Sequence, residues 1–201
     1  MQQPTTIDFW FDPICPFTWV TSRWVADVAE RRGLSVHWKP FSLKVLNSTP
    51  EAEDTDEAHG HGHRMGRVIV RTLHAQGAES VAALYAALGE RIHPGGRGDD
   101  INAVIAESLA EAGLPADLGD AADDPQFDAE LVESTEQALK KTGSGVGIPI
   151  IGLDDRAFFG PVFTRRPEGE QALELWDAFA TLVGYEHFFE LKSQITGRLE
   201  F

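Results

Sequence analysis

The sequence predicts an α/β fold, with a β–α–β opening and a β–β–α ending around one sheet and an all-helical subdomain inserted between them. Three observations carry this. Strand-like runs stand only near the two ends of the 201 residues. Helical periodicity fills the middle. Each strand-like run is bounded by proline, glycine or aspartate.

TTIDFWF (5–11) alternates in polarity and is rich in aromatic and β-branched residues, which makes it a strand. Asp12 and Pro13 end it. Pro16 suits the first position of a helix, where its missing N–H would be unpaired anyway. Trp19, Val20, Trp24 and Val28 recur at helical spacing up to Arg32, and Gly33 stops the helix. LSVHWKPF (34–41) is the second strand. Five acids within 51–57 and then HGHGH (59–63) read as a loop or a frayed helix start.

Four amphipathic stripes follow, each a helix. Met65, Val68, Ile69 and Leu73 mark the first. Val81, Leu84, Tyr85, Leu88 and Ile92 mark the second. Ile101, Val104, Ile105 and Leu109 mark the third, and Phe127, Leu131, Val132 and Leu139 the fourth. Breaks fall at Gly77, at HPGGRG (93–98) and at GLPADLGDAADDP (113–125). From Asp99 to Leu139 there are twelve acids and no Lys or Arg, which reads as a solvated outer face. After the glycine-rich GSGVG (143–147), IPIIGL (148–153) and RAFFG (156–160) form a hairpin across Asp154–Asp155. A last helix runs from about Glu168 to Gly184, and 185–195 continues it or begins another. No internal repeat is visible. This order is that of a thioredoxin-like fold, with 1–50 and 145–201 as the core and 51–144 as the inserted helical subdomain.

The totals bound the function. Hydrophobic residues make up 42% of the chain, enough for a real core, and nothing reads as disordered. The net charge of −15, from 32 acids and 17 bases, argues against nucleic acid or an anionic membrane as partner. The N-terminus lacks the basic and apolar regions of a signal peptide, and no run approaches the ~18 apolar residues of a spanning helix. One cysteine excludes an internal disulfide and fits a reducing compartment. The expectation is a cytoplasmic protein.

That cysteine lies in FDPICPFTW (11–19), at the first strand-to-helix junction. A thiolate is the nucleophilic form, and a free cysteine has a pKa of ~8.5. At a helix start Cys15 would face unpaired N–H groups and the positive end of the helix dipole. The expectation is a pKa lowered into the neutral range, with the Thr18 hydroxyl also donating to the sulfur. Threonine cannot attack a mixed disulfide, so a CPFT site starts thiol–disulfide exchange without resolving it. Most lone cysteines are inert core residues, and only the Cys–Pro junction on this element order raises Cys15 above that reading. Ile148–Pro149 is the second signal. Proline is allowed at a strand start on steric grounds alone. The sharper reading is a cis peptide beside the helix start, with the backbone of Ile148 pairing with a thiol substrate.

FDPICPFTW together with GVGIPIIG and a helical insert resembles the DsbA-like branch of the thioredoxin superfamily, and within it the mycothiol-dependent nitroreductase-like proteins. The resemblance covers nearly the whole chain. It rests on Asp12, Pro13, Cys15, Pro16 and the aromatic Phe17, and on FSLKVLN (41–47), LYAALGERIH (84–93), FFGPV (158–162) and YEHFFELK (185–192) in their order. It implies a cytosolic oxidoreductase that uses a low-molecular-weight thiol, mycothiol or glutathione, as co-substrate, with no tightly bound cofactor. Cys15 carries over as attacking thiolate, Pro149 as the cis-proline, and Pro16 and Phe17 as the residues beside the thiol. Trp19, Ile148, Asn47 and His93 fall near the implied thiol and substrate site. Where the family's pair is CPxC, this chain has Thr18. A neighbouring branch, the kappa-class glutathione transferases and 2-hydroxychromene-2-carboxylate isomerases, places serine at the cysteine position and activates a bound glutathione thiol. It is the alternative reading. The implied partners are a small-molecule or disulfide substrate and a second copy of the chain as a homodimer.

No metal site is assigned. His59, His61 and His63 form the competing set, since alternate spacing in extended chain would point them one way, but the intervening glycines and the lack of cysteines favour a solvated loop. His187 reads as a packed or capping histidine. Trp10, Trp24, Trp38 and Trp176 read as core. HPGGRG lacks the lysine and spacing of a phosphate loop.

Overall fold

The computed structural model describes residues 6–49, 51–143 and 145–201; Thr5 of the expected first strand, and Pro50 and Ser144 at the expected subdomain boundaries, lie outside them. The sheet has four strands. β1 (Thr6–Phe11) pairs in parallel with β2 (Ser35–Pro40) and antiparallel with β3 (Ile150–Leu153), which pairs antiparallel with β4 (Arg156–Phe159). The order is β2-β1-β3-β4, so the first strand of the chain is central. A strand buried from two sides needs apolar residues on both faces. Ile7, Phe9 and Phe11 face a large core with Trp24 and Tyr85, while Trp10 faces a second, smaller cluster with Phe41 and Cys15.

Helix α1 (Pro16–Arg32) starts on Cys15 as N-cap with Pro16 in its first turn, and it ends on Gly33 at φ 65, a left-handed conformation that glycine adopts without strain. Its Trp24 packs on Trp176 at 5.6 Å and donates an indole hydrogen bond to the Ala172 carbonyl at 2.9 Å. Both partners lie on α7 (Gly169–Val183). Between β2 and β3 run α2 (Leu43–Asn47), α3 (Glu57–Gln76), α4 (Ala78–Ile92), α5 (Ile101–Glu111), two 3₁₀ segments (Ala116–Asp123 and Pro125–Phe127) and α6 (Asp128–Thr142). The stripes expected on α3, α4 and α5 are buried in the same core as the sheet face. Among the described residues no helix is long and apolar enough to cross a membrane.

Two expectations need correction. HGHGH is neither loop nor frayed end; it forms the first turns of α3, started by Asp56, whose carboxylate accepts from the N–H groups of Ala58 and His59. Residues 185–195 are not helical. Arg156 takes the carbonyls of Val183 (2.7 Å), Tyr185 (2.9 Å) and Phe188, so the chain leaving α7 is held by a side chain instead of by further helical turns. The acidic run lies on the solvated face expected for it, with none of its twelve acids buried. Asp117, Asp123 and Asp128 pair with Arg71, Arg64 and Arg67 of α3.

Two helical glycines mark close approaches. A Cβ on Gly62 of α3 would land inside the Asp12 carboxylate, and one on Gly89 of α4 inside the Trp19 indole. Gly60 has nothing within 4 Å of the same position. Helix propensity favours alanine over glycine by about 1 kcal/mol, whereas overpacking a core costs roughly 1–3 kcal/mol. Thermal unfolding of three single variants tests this. Gly60→Ala raises the midpoint, while Gly62→Ala and Gly89→Ala lower it; a rise in all three contradicts the packing described.

Candidate active site

The site is built on one buried carboxylate. Asp12 follows β1 and is fully buried. One oxygen accepts from the Ile14 N–H at 3.1 Å and the other from the Leu43 N–H at 2.8 Å. Its main-chain carbonyl accepts from the Cys15 N–H at 3.0 Å. The Asp12–Cys15 turn is thus closed on itself and tied to the start of α2. Burial pushes the carboxyl up to about 6, against the two amide bonds and the nearby His59, which favour ionisation.

Cys15 is 7% exposed and packs with Trp10, Ile148 and Ile150, and with Phe17, Leu43 and Leu46 beside them. The structure therefore brings Cys15, Phe17 and Ile148 together, and adds α2 to them. The Ile148–Pro149 peptide is cis, and the Pro149 carbonyl accepts from Gly160 N–H at 2.8 Å. Thr18 is fully buried. Its hydroxyl has no hydrogen-bond partner of its own and lies close enough to the sulfur to favour the thiolate, as do the amides of Thr18 and Phe17. The expected lowering of the Cys15 pKa is nonetheless overturned. Burial pushes the thiol up, the Asp12 charge adds to this, and these outweigh the hydroxyl and amides. The magnitudes explain the sign: charge at a helix N-terminus gains at most ~2 kcal/mol, whereas full desolvation moves a pKa by up to ~3–5 units.

Trp19 belongs to the large core, not to the cluster around Cys15, and His93 beside it is half-buried. The His93 imidazole stacks on Trp19 at 5.9 Å and its Nε2 bonds the Pro13 carbonyl at 2.9 Å. Burial lowers His93 to about 4, so near neutral pH the ring is uncharged and Nε2 donates. His93 therefore braces the turn before Cys15. Asn47 is exposed and donates to the Leu43 carbonyl of its own helix at 2.8 Å. Pro16 is half-buried at the helix start.

The three histidines of HGHGH do not converge, because α3 turns about 100° per residue. His59 bonds Asp54 at 2.6 Å, and His61 lies 3.9 Å from Glu57. His63 bonds Ser42 Oγ through Nδ1 at 2.8 Å and Asp128 through Nε2 at 2.9 Å. Among the described residues no group of three or more His, Cys, Asp or Glu is placed to hold a metal ion. The Ser42–His63–Asp128 chain has the residue types of a hydrolytic triad, but Ser42 is fully buried and caps α2 by accepting from Val45 N–H. Its role is to join α2, α3 and α6. His187 is exposed, not packed. Sequence reasoning gave Asp12 no role beyond ending a strand. The signal was there: a carboxylate directly after FWF, on a strand buried from both sides.

Residues 14–193 match the Rv2466c-like family, described as mycothiol-dependent nitroreductase Rv2466c. The chain belongs to this family. Membership makes it a thiol-dependent oxidoreductase, the class its motifs implied. It is 34% identical over 193 residues to the uncharacterized protein Rv2286c of Mycobacterium tuberculosis, a match spanning 94% of this chain and 81% of that one. Two solved structures share the fold. One is oxidoreductase DsbA from Xylella fastidiosa, with a TM-score of 0.58 at 16% identity, covering 88% of this chain and 84% of that one. The other is cytosolic disulfide reductase DsbM from Pseudomonas aeruginosa with GSH, with a TM-score of 0.56 at 18% identity, covering 89% and 97%.

Asp12 gives the site a pH signature. Its folded pKa of about 6 lies above the ordinary value of 3.8. Between those values the folded chain holds the extra proton, so this group's contribution to stability falls as pH rises from about 4 to about 6 and its cost is fully present above. Asp12→Asn removes that slope. It also removes the charge that opposes the thiolate, so the pH midpoint for alkylation of Cys15 by iodoacetamide moves down. An unchanged or higher midpoint contradicts the arrangement.

Proposed function

We propose that this family member works by a monothiol route, with Cys15 as nucleophile and a small diffusible thiol in place of the missing second cysteine. The observation that carries the reading is the place of Cys15: the N-cap of α1 directly before Pro16, with the buried Thr18 three residues on. The chemistry balances in three exchanges. The Cys15 thiolate attacks a substrate disulfide RSSR, giving Cys15–S–SR and RS⁻. A small thiol R′S⁻ then attacks the adduct, restoring the Cys15 thiolate and leaving RSSR′. A second small thiol splits RSSR′ to RS⁻ and R′SSR′, so two thiols are oxidised for each disulfide reduced. Ile148 and Phe17 pack in the cluster that holds Cys15, and in this reading an extended substrate lies along Ile148 and the cis-linked Pro149. The family name supports mycothiol as the thiol, and the GSH in the DsbM structure supports glutathione. The reducing compartment such thiols need supports a cytoplasmic location.

The raised thiol pKa favours a second reading. A neutral Cys15 S–H can donate to the thiolate of a bound small thiol, as serine does in the glutathione-transferase and isomerase branch. The two readings part on one experiment. Incubation with oxidised mycothiol or oxidised glutathione, followed by intact-mass measurement, gives a gain of one thiol on the wild type and none on Cys15→Ser under the monothiol route. No gain, or a gain that survives Cys15→Ser, contradicts it. Thiol-dependent activity kept by Cys15→Ser supports the second reading.

A further inference from the structure

A cavity of about 480 Å³ lies against α1 one helical turn beyond the cysteine, lined by Trp19, Arg23, Glu90, Arg165, Arg166 and Phe201 among others. Trp19 is four residues after Cys15, and its N–H closes the first helical bond to the Cys15 carbonyl at 3.0 Å. Three arginines line the cavity, Arg23, Arg165 and Arg166, together with three glutamates, Glu90, Glu168 and Glu200.

Arg23 is the informative one. Its guanidinium sits over the Trp19 ring at 4.3 Å, and it is largely buried. Its only side-chain hydrogen bond among the described residues runs from Nε to Ser22 Oγ at 3.3 Å, and no carboxylate pairs with it there. Among the described residues neither terminal nitrogen has a protein acceptor. A half-desolvated cation without a partner is costly, and the neighbouring Arg166 repels it further. Glu90 offsets this only at a distance. The other two arginines are paired, but with acids that water reaches freely. Arg166 meets Glu168 at 2.8 Å, where the acid is 71% exposed, and Arg165 meets Glu200 at 3.6 Å, where it is 63% exposed. Such exposed pairs contribute little and give way readily to a better acceptor.

We propose that this cavity is an anion-binding subsite, in which Arg23 takes a carboxylate or phosphate group of a small-molecule reactant through its two free terminal nitrogens. The fork of a guanidinium matches the two oxygens of either group, and stacking on Trp19 fixes its plane. Arg166 and Arg165 supply the remaining charge by releasing their exposed acids. The subsite would select an anionic reactant and hold it within reach of the cysteine turn, since Trp19 stacks on His93 and His93 holds Pro13. Its use in the reaction rests on the proposed thiol chemistry, but the binding does not, so Cys15→Ser serves as the background.

Titration of Cys15→Ser with inorganic phosphate and, separately, with citrate tests the subsite by indole fluorescence and calorimetry. The expected result is saturable binding of at least one of them at millimolar concentration or tighter. Binding of phosphate alone assigns a phosphate group, and binding of citrate alone a carboxylate. Adding Arg23→Gln weakens that binding at least tenfold. Arg166→Gln, at an exposed position that folding tolerates, weakens it severalfold, while Arg97→Gln, paired with Glu107 elsewhere, leaves it unchanged. The absence of saturable binding, reproduction of the signal by sodium chloride at equal ionic strength, or equal affinity in Arg166→Gln overturns the proposal.

Discussion

The structure around the cysteine depends on one buried carboxylate and the two main-chain amides it accepts. Asp12 lies at the end of the central strand, where the chain must turn from sheet to helix. Its oxygens hold Ile14 of that turn and Leu43 of the next element. From there the chain of bonds continues outward. Ser42 caps α2 and meets His63 of α3, His63 meets Asp128 of α6, and the Ser42 N–H is taken by Thr135 of α6 at 3.0 Å. Gly62 lets α3 pass against the carboxylate with no side chain between. The helices between β2 and β3 are therefore fastened to the cysteine turn by polar contacts as well as by the apolar core. A buried carboxylate left without those amides would cost several kcal/mol, so the geometry is closely specified.

The same burial decides the chemistry of the thiol. A helix start favours a thiolate by a modest amount, and the Thr18 hydroxyl adds to it. Removal from water and a neighbouring carboxylate act the other way and prevail. The resting site thus stores Cys15 as a protected thiol. An unpaired cysteine held this way resists adventitious oxidation, which follows thiolate character and exposure. Thr18 fits the same logic, because it fills the resolving position with a hydroxyl that can donate but not attack.

The fold was legible wherever hydrophobic periodicity was strong. β1, α1, the stripes of α3 to α5 and the 150–159 hairpin all carry their burial in their spacing. The misses share a cause: long-range contacts overrode local preference. HGHGH is poor helix material by propensity, yet Asp56 caps it and Ser42 and Asp128 hold its His63 from other parts of the chain. The five residues of α2 are too few to show a period, and they fold on the Ser42 cap and the Asp12 bond. YEHFFELK has a helix-like aromatic pattern, but Arg156, distant in sequence, captures the carbonyls at the end of α7. The site was half legible. A Cys–Pro pair at a strand-to-helix junction marks Cys15 as the candidate nucleophile without help, whereas its burial is shared with Ile148, Leu43 and Leu46, which no local window contains.

Family membership, the Cys–Pro junction and the lone cysteine converge on a single claim: turnover needs a thiol from outside. The most direct test begins with the preformed Cys15 mixed disulfide, isolated and free of excess reagent. Free mycothiol or glutathione is then added in rapid mixing, and release of the bound thiol is followed by mass. The account predicts release that is first order in the added thiol, with the Cys15 thiol recovered in full and no release in its absence. Release that proceeds without added thiol, or an adduct that stays inert as both thiols are raised to millimolar concentration, would contradict it.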